Sequence, residues 1–253
     1  MRSLTLGLVT LYTVLISLQG FAQDHKSEQH WDYGSELGPS HWAELSPDFR
    51  VCGTGHRQSP IDIGDTKKEE LPEIVFDYKP SPLRIVDNGH TIMVNYTPGS
   101  YVTVGDDRYQ LKQFHFHRPS EEKIAGKGFD MSAHLVHDNG NGKLLVVAIL
   151  LQSGEDNALI EELWKDVPKE KAKEKVWDGV TINLSQILPK ERSYYTFAGS
   201  LTTPPCSENV TWIVLKHPTS ISAAEIEQFS KLYRNDARPP QPIYDRVVLE
   251  SKR

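Results

Sequence analysis

Cysteine is scarce in this sequence, with only Cys52 and Cys206 among 253 residues. The two lie far apart in polar, turn-rich surroundings, so a single disulfide is the simplest interpretation and two free thiols are the alternative. Disulfides persist in oxidising compartments, which agrees with export of the chain. Closing a loop of this length would stabilise the fold by about 4 to 5 kcal/mol in the chain-entropy model.

An excess of positive charge is also missing. The chain carries 28 Lys and Arg against 34 Asp and Glu, a net charge of −6, and it has no basic stripe. Nucleic-acid binding depends on such a stripe, so the sequence argues against it and favours small or neutral partners. Repeats, linkers and shifts of composition are absent as well, and we therefore expect one large domain.

Long hydrophobic runs are absent except at the N terminus. Met1-Arg2 precedes an apolar run from Leu4 to Leu18, and small residues around Ala22 offer a cleavage site. The run is shorter than the roughly 20 apolar residues that cross a bilayer, so a signal peptide over residues 1–22 is favoured over a membrane anchor. We expect a mature domain over residues 23–253, secreted to a bacterial periplasm or the cell exterior, with no membrane contact.

Short runs of Val, Ile, Tyr and Thr dominate the chain from Ile74 onward, bounded by Gly, Pro, Asn and Asp. This pattern is typical of β-strands and predicts a mainly β fold with a few peripheral helices, in the α+β class. The predicted strands are Ile74–Tyr78, Thr91–Tyr96, Tyr101–Val104, Tyr109–His117, Met131–His137, Leu144–Leu151 and Thr211–Leu215.

Turn and capping signals place some of these elements. Asn139-Gly140-Asn141-Gly142 predicts a tight turn before the run Leu144–Leu151, which is apolar on both faces and therefore predicts a central strand. Helices are predicted after Asn157 and after Ser222, where Ser222 and Glu225 have the spacing of a capping box. Both helices are expected to pack against the rest of the fold.

Two histidines on one predicted strand suggest a metal site. In the run Gln113-Phe114-His115-Phe116-His117, successive side chains point to opposite faces of a sheet. His115 and His117 therefore share one face, while both phenylalanines enter the other. This arrangement supplies half of a metal site.

A third ligand has to come from another strand, and the predicted strand Met131–His137 can pair antiparallel with the first. His134 and His137 differ by three positions and lie on opposite faces, so only one of them can join His115 and His117. Three neutral imidazoles without a thiolate or carboxylate would leave a divalent zinc with its full charge and an open position for water. Such a site generates hydroxide near neutral pH.

A competing interpretation uses the same histidines. The spacing His-x-His-x-x-x-Glu that ends at Glu121, followed by Gly128, resembles the first motif of the cupins, where the Glu is a ligand and the metal is often iron or manganese. That motif requires a glycine where this chain has Tyr109, and its Pro-x-Gly-x-x-His context is absent around His134. A cupin-type metal dioxygenase is therefore the weaker enzyme alternative.

Ordered motifs extend over nearly the whole mature chain. Together they resemble the α-class carbonic anhydrases of the secreted or periplasmic type: HWDYG (30–34), RQSPIDI (57–63), DNGH (87–90), QFHFH (113–117), AHLVH (133–137), GSLTTPPC (199–206) and RPPQP (238–242). The resemblance implies a single domain built on a large, twisted, mostly antiparallel central sheet, with a cleft that ends at zinc.

The resemblance also implies the chemistry. His115, His117 and His134 match the ligands of Zn²⁺, and the implied reaction is reversible hydration of carbon dioxide to bicarbonate and a proton by attack of zinc-bound hydroxide. Thr202 matches the threonine that accepts a hydrogen bond from this hydroxide, and Glu121 matches the carboxylate that takes the threonine's proton. Because a hydroxyl has one proton to donate, the pair leaves only an acceptor facing the metal.

Further roles follow from the same resemblance. His90 matches the residue that shuttles the released proton, which a histidine with a pKa of about 6.5 can do near neutral pH. Gln113 matches a partner of a zinc ligand, and Cys52 and Cys206 match a disulfide of extracellular members. Sulfonamide and anion inhibitors are expected to bind. The residues matching the substrate site are Val136, Val146, Leu201, Thr202, Thr203, Val210 and Trp212.

The chain departs from the family pattern at Met93, on the expected cleft wall, and at two positions near the expected metal site. Ser132 stands where the family commonly has a Glu bonded to the third ligand, so we expect looser zinc, since such partners change affinity or activity about 10- to 100-fold. Glu122 stands where a His is usual and adds negative charge beside Glu121. A catalytically silent binding module of the same fold is the alternative to an enzyme, but such relatives usually lose a zinc histidine.

Overall fold

The computed structural model describes residues 29–252, and the predicted signal peptide at residues 1–22 lies outside them. The strands are β1 Asp62–Ile63, β2 Thr66–Glu69, β3 Ile74–Asp77, β4 Ser81–Asp87, β5 Ile92–Asn95, β6 Tyr101–Val104, β7 Asp107–His117, β8 Lys123–Ile124, β9 Met131–Asp138, β10 Leu144–Ser153, β11 Lys175–Ile182, β12 Tyr194–Ser200, β13 Glu208–Leu215, β14 Thr219–Ile221 and β15 Val248–Ser251. The helices are α1 Trp42–Leu45, α2 Val51–Thr54, α3 Ala158–Lys165 and α4 Ala223–Ser230, with 3-10 helices at Pro47–Phe49 and Leu184–Ile187. The predicted class, mainly β with peripheral helices, is confirmed.

One 13-stranded sheet organises the described residues, and its main path runs β11-β4-β5-β7-β9-β10-β13-β12-β15-β2. β6 pairs with β3 and β7, β14 pairs with β10, and β1 pairs with β8 in a separate two-stranded sheet. Within the large sheet, β10 runs parallel to β13 and β14, and β15 runs parallel to β2. The other pairs of the large sheet are antiparallel, so the prediction of a large, mostly antiparallel central sheet is confirmed.

β7, β9 and β10 form the centre of this sheet. β9 pairs antiparallel with both neighbours, and His115 on β7 lies directly opposite His134 on β9. β10 is buried from Leu145 to Leu151, as its two-sided apolar pattern predicts. The predicted turn connects β9 to β10, and Gly140 and Gly142 both have a positive φ that glycine adopts without strain.

The two faces of the central strands enter different apolar clusters. Phe114 and Phe116 face the larger cluster, where α3 and α4 pack, and the Phe116 ring lies 5.1 Å from the Trp164 ring. The opposite face contributes to a smaller cluster that includes Val146 and Trp212. The alternation of β7 therefore gives the phenylalanines to the core and leaves the histidines for the other side.

Both predicted helices begin at their predicted caps. The Asn157 side chain accepts from the backbone N–H groups of Leu159 and Ile160 at the start of α3. At the start of α4, Ser222 and Glu225 form the predicted capping box. These contacts satisfy backbone donors that have no partner inside the helix.

Two covalent and topological findings complete the fold. Cys52 and Cys206 form the predicted disulfide, which packs with buried Trp42 in a small apolar cluster. Across residues 29–252, none of the helices is both long enough and apolar enough to cross a membrane.

Candidate metal centre

Three imidazoles converge at the centre of the sheet. One ring nitrogen from each of His115, His117 and His134 lies within 4.8 Å of the other two. The fourth candidate, His137, points to the opposite face, where its Nε2 lies 2.8 Å from the Tyr78 hydroxyl. The structure therefore selects His134 as the third member of the cluster.

Each imidazole of the cluster is held through its outer nitrogen. The hydrogen bonds are His115 Nδ1 to Gln113 Oε1 (2.8 Å), His117 Nδ1 to the Asp236 carbonyl (2.7 Å) and His134 Nε2 to Glu122 Oε1 (2.7 Å). All three partners are acceptors, so the outer nitrogen carries the proton and the inner nitrogen presents its lone pair. The inner atoms are thus Nε2 of His115, Nε2 of His117 and Nδ1 of His134.

The partner of His134 corrects an expectation from the sequence. Ser132 was expected to leave this imidazole without a carboxylate, and the extra charge of Glu122 had no assigned role. In the structure Glu122 reaches His134 from the loop after β7, while Ser132 Oγ accepts from the Glu121 N–H at 3.4 Å. The expectation of a missing carboxylate at the third ligand is therefore wrong.

The electrostatics of the cluster fit a metal cation. Burial lowers the pKa of His115 to about 3 and that of His117 well below 6.5, so both rings are neutral. Burial also opposes charge on His134, but attraction and hydrogen bonding to Glu122 outweigh it and raise the pKa of this ring. His117 Nε2 is buried and has no hydrogen-bond partner among the described residues. Lone pairs of neutral imidazoles are the donors that zinc accepts.

Glu121 lies beside the cluster and is buried. Its Oε1 accepts from the backbone N–H of Arg238 at 2.7 Å, and its Oε2 lies 3.6 Å from His117 Nε2. Burial raises the pKa of Glu121 to about 7, although His134, the Arg238 N–H and a hydrogen bond from the Thr202 hydroxyl each favour the ionised form. A divalent cation in the cluster would favour ionisation further.

His90 occupies a different setting, in the turn between β4 and β5. Its ring stacks on Trp31 with centroids 3.7 Å apart and planes 5° from parallel. Burial lowers the pKa of His90, and repulsion from His30 and Lys171 lowers it further. Half-buried and shifted downward, this imidazole is mostly neutral at pH 7.

The residues expected at the substrate site lie in two groups. The apolar members belong to the smaller apolar cluster, on the same side of the sheet as the imidazoles: Val136, Val146, Leu201, Val210 and Trp212. The Trp212 ring lies 4.9 Å from the His134 ring. Thr202 is buried, and Thr203 follows it in the loop before Cys206, half-buried. An apolar wall therefore adjoins the imidazole cluster.

Three contributors to this region were missed from the sequence. Asp236 acts through its backbone carbonyl, which has no side-chain signature. Arg238 holds Glu121 through its N–H, and its guanidinium donates to Gln58 Oε1 and the carbonyls of Ser59 and Cys52. Trp31 stacks on His90. The RPPQP and HWDYG motifs contain Arg238 and Trp31, and were the only available signal for them.

A large mixed β-sheet carries a cluster of three histidines, a donor set suited to a metal-dependent enzyme. The profile of the eukaryotic-type carbonic anhydrases matches residues 37–252 of the chain. A carbonic anhydrase of Neisseria gonorrhoeae is 42% identical over 97% of this chain and 98% of its own length. One from Nostoc sp. is 42% identical over 88% and 86%.

A solved structure agrees with these sequences. The α-carbonic anhydrase of Thermovibrio ammonificans, in complex with the inhibitor sulfanilamide, superposes with a TM-score of 0.84 at 40% identity, over 88% of this chain and 99% of its own. The chain belongs to the α-class carbonic anhydrase family and is an enzyme of that class. This assignment removes the cupin alternative.

Proposed function

We propose that the chain hydrates carbon dioxide reversibly to bicarbonate and a proton, with zinc held by His115, His117 and His134. The convergence of three imidazole nitrogens within 4.8 Å of one another carries this proposal. These residues would hold zinc, which in carbonic anhydrase itself lowers the pKa of a coordinated water to ~7 and would here supply hydroxide near neutral pH.

Thr202 and Glu121 orient the nucleophile in this proposal. We propose that the Thr202 hydroxyl donates its single hydrogen bond to Glu121, so that the hydroxyl oxygen can only accept from a group facing the metal site. Glu121 can accept that proton because the Arg238 N–H fixes its carboxylate from the other side. Together they favour a nucleophile that donates a hydrogen bond to the Thr202 oxygen, and this contact turns the lone pair of the nucleophile toward the substrate.

Carbon dioxide is small and uncharged, which suits the apolar wall beside the cluster. Val146, Val210 and Trp212 are buried there, with Leu201 and Val136 packed against them. Such a surface holds the substrate without competing for the metal. Thr203, adjacent to Thr202, is proposed to contact the substrate or product at the edge of this wall.

His90 is proposed to carry the released proton away from the site. A half-buried imidazole with a lowered pKa is largely neutral at pH 7 and can accept a proton. We expect His90→Ala to lower kcat on the order of 10²-fold, the lower end for a positioned proton carrier, and added imidazole to restore part of the loss. An unchanged kcat would reject this role.

Inhibitor binding and location complete the proposal. The relative from Thermovibrio ammonificans binds sulfanilamide, and we propose that aromatic sulfonamides and small anions bind this chain at the same cluster. We also propose export of the chain to a periplasm or the cell exterior. The disulfide supports this location, because an oxidising compartment is needed to keep it.

Stopped-flow hydration of carbon dioxide by the zinc-loaded protein tests the function. We expect activity that sulfanilamide suppresses, one zinc per chain by metal analysis, and loss of both zinc and activity in His134→Ala. Comparable activity in His134→Ala would overturn the site. Bound zinc without any hydration would favour the silent binding module instead.

A further inference from the structure

The third imidazole of the cluster is the one bonded to a carboxylate. We propose that Glu122 is the positioning residue for His134, fixing Nδ1 toward the metal and setting how long zinc stays bound. This inference rests on the proposed zinc site.

The contact between the Glu122 and His134 side chains is short and buried. Glu122 Oε1 lies 2.7 Å from His134 Nε2, and the side chains are 0% and 1% exposed. A carboxylate accepts hydrogen bonds, so the shared proton belongs to Nε2 and the lone pair of this ring is on Nδ1. His115 and His117 instead donate to neutral oxygens, an amide and a backbone carbonyl. The bond to Glu122 is thus the charge-assisted one of the three.

The loop that carries Glu122 is held firmly. Ser120 Oγ donates to the Glu122 carbonyl at 2.8 Å, and the Ser120 N–H donates to the Phe129 carbonyl at 3.1 Å. On the other side, the Lys123 N–H donates to the Ile61 carbonyl at 3.3 Å. A carboxylate on a fixed backbone loses little freedom when it binds an imidazole, so it can impose the ring's orientation.

Ser132 explains why the space for Glu122 exists. It is buried on β9 two residues before His134, so its side chain lies on the same face as that imidazole. Its hydroxyl contacts the N–H of Glu121, next to Glu122 in the chain. A glutamate at position 132 would enter the same region. The carboxylate that binds His134 could therefore come either from strand β9 or from the loop that carries Glu122.

Charge balance ties Glu122 to the metal. A buried carboxylate without a compensating charge is costly, and Glu122 Oε2 has no hydrogen-bond partner among the described residues. A divalent cation would balance the two carboxylates Glu121 and Glu122, so removing Glu122 should weaken the hold on zinc.

Zinc dissociation into a chromophoric chelator tests the inference, with binding measured independently of catalysis. We expect Glu122→Ala to release zinc about 10- to 100-fold faster than the wild type, and Glu122→Gln to show a smaller increase because its amide oxygen still accepts from Nε2. The double variant Glu122→Ala/Ser132→Glu should recover part of the loss, because the strand then supplies the carboxylate.

Glu225→Ala is the matched control, since it also removes a buried carboxylate. Glu225 lies in α4 and accepts from the N–H groups of Asn157 and Ser222. This substitution should lower the free energy of unfolding and leave zinc release unchanged. Release at the wild-type rate from both Glu122 variants would overturn the inference while leaving the zinc site intact. Glu122→Gln keeps the test open if the alanine variant does not fold. A wild-type protein that binds no zinc would instead overturn the proposed function.

Discussion

Trp31 determines the surroundings of His90, because the indole covers one face of the imidazole. Burial is the largest cause of the lowered pKa of His90, and Trp31 supplies part of that burial. We therefore expect Trp31→Ala to raise the pKa of His90 toward about 6.5, the value of a solvated histidine. Nuclear magnetic resonance titration of the ring protons measures it. Tyr33→Phe, which leaves the stack in place, is the control, and equal pKa values in all three proteins would contradict the prediction.

At the level of single residues, the sequence predicted side-chain roles better than backbone roles. Period-two alternation was enough to pair His115 with His117, and Gln113 was expected as a ligand partner. The Asp236 carbonyl could not be predicted, because any residue can supply a carbonyl and only the chain path brings it to His117. The contact of Glu122 with His134 could not be predicted for the same reason, since it depends on the path of the loop and on the space left by Ser132.

The capping box of α4 is an element-scale feature with a measurable effect. The Ser222 hydroxyl accepts from the Glu225 N–H, and the Glu225 carboxylate accepts from the Ser222 N–H. We expect Ser222→Ala to lower the free energy of unfolding by about 1 kcal/mol, the usual effect of losing such a cap. Urea titration measures it, with exposed Ser220→Ala as a control that should change stability by less than about 0.5 kcal/mol. Equal losses in the two variants would argue against the cap.

Elements with strong local signals were predicted and elements without them were missed. β7, β9 and β10 combine alternation with a glycine-rich turn, and α3 and α4 have capping residues. β11, an edge strand, is mostly exposed, and its register shifts between Trp177 and Thr181, so its sequence lacks a clean period. β12 contains Ala198 and Gly199, which weaken a strand pattern, and its pairing with β13 and β15 holds it in the sheet.

The disulfide acts on the whole molecule because it joins residues 154 positions apart. Replacing both Cys52 and Cys206 by alanine should lower the free energy of unfolding by up to about 5 kcal/mol, through the greater freedom of the unfolded chain. Chemical denaturation of the variant, beside wild-type protein with and without reductant, measures the change. The reduced wild type should match the variant, and no difference between oxidised and reduced protein would contradict the prediction.

We expect acid stability to depend on His137, which is buried with its Nε2 beside the Tyr78 hydroxyl and its Nδ1 beside the Leu145 carbonyl. Burial lowers its pKa to about 4 in the folded state, against about 6.5 unfolded. Between pH 6.5 and pH 4, His137 therefore binds a proton in the unfolded chain and remains neutral in the folded chain. Stability is full above about pH 6.5 and falls, on the order of 3 kcal/mol, as the pH drops toward 4.

His137→Gln removes this proton linkage, so its free energy of unfolding should fall less steeply between pH 6.5 and pH 4 than that of the wild type. Denaturant titrations across this range measure both slopes. Exposed His217→Gln is the matched control and should keep the wild-type slope. Parallel curves for wild type and His137→Gln would show that another group controls acid unfolding.

The placement of Arg238 has a consequence for the order of folding. The three histidines lie within twenty residues of one another on paired strands, although the distant Asp236 carbonyl orients the His117 ring. The Glu121 carboxylate is held by Arg238, 117 positions later, which also donates to Gln58 at a separation of 180. Distant contacts close more slowly than near ones. During refolding, a zinc-sensitive indicator should therefore report metal capture before hydration activity returns, and simultaneous recovery would show that both parts assemble in one step.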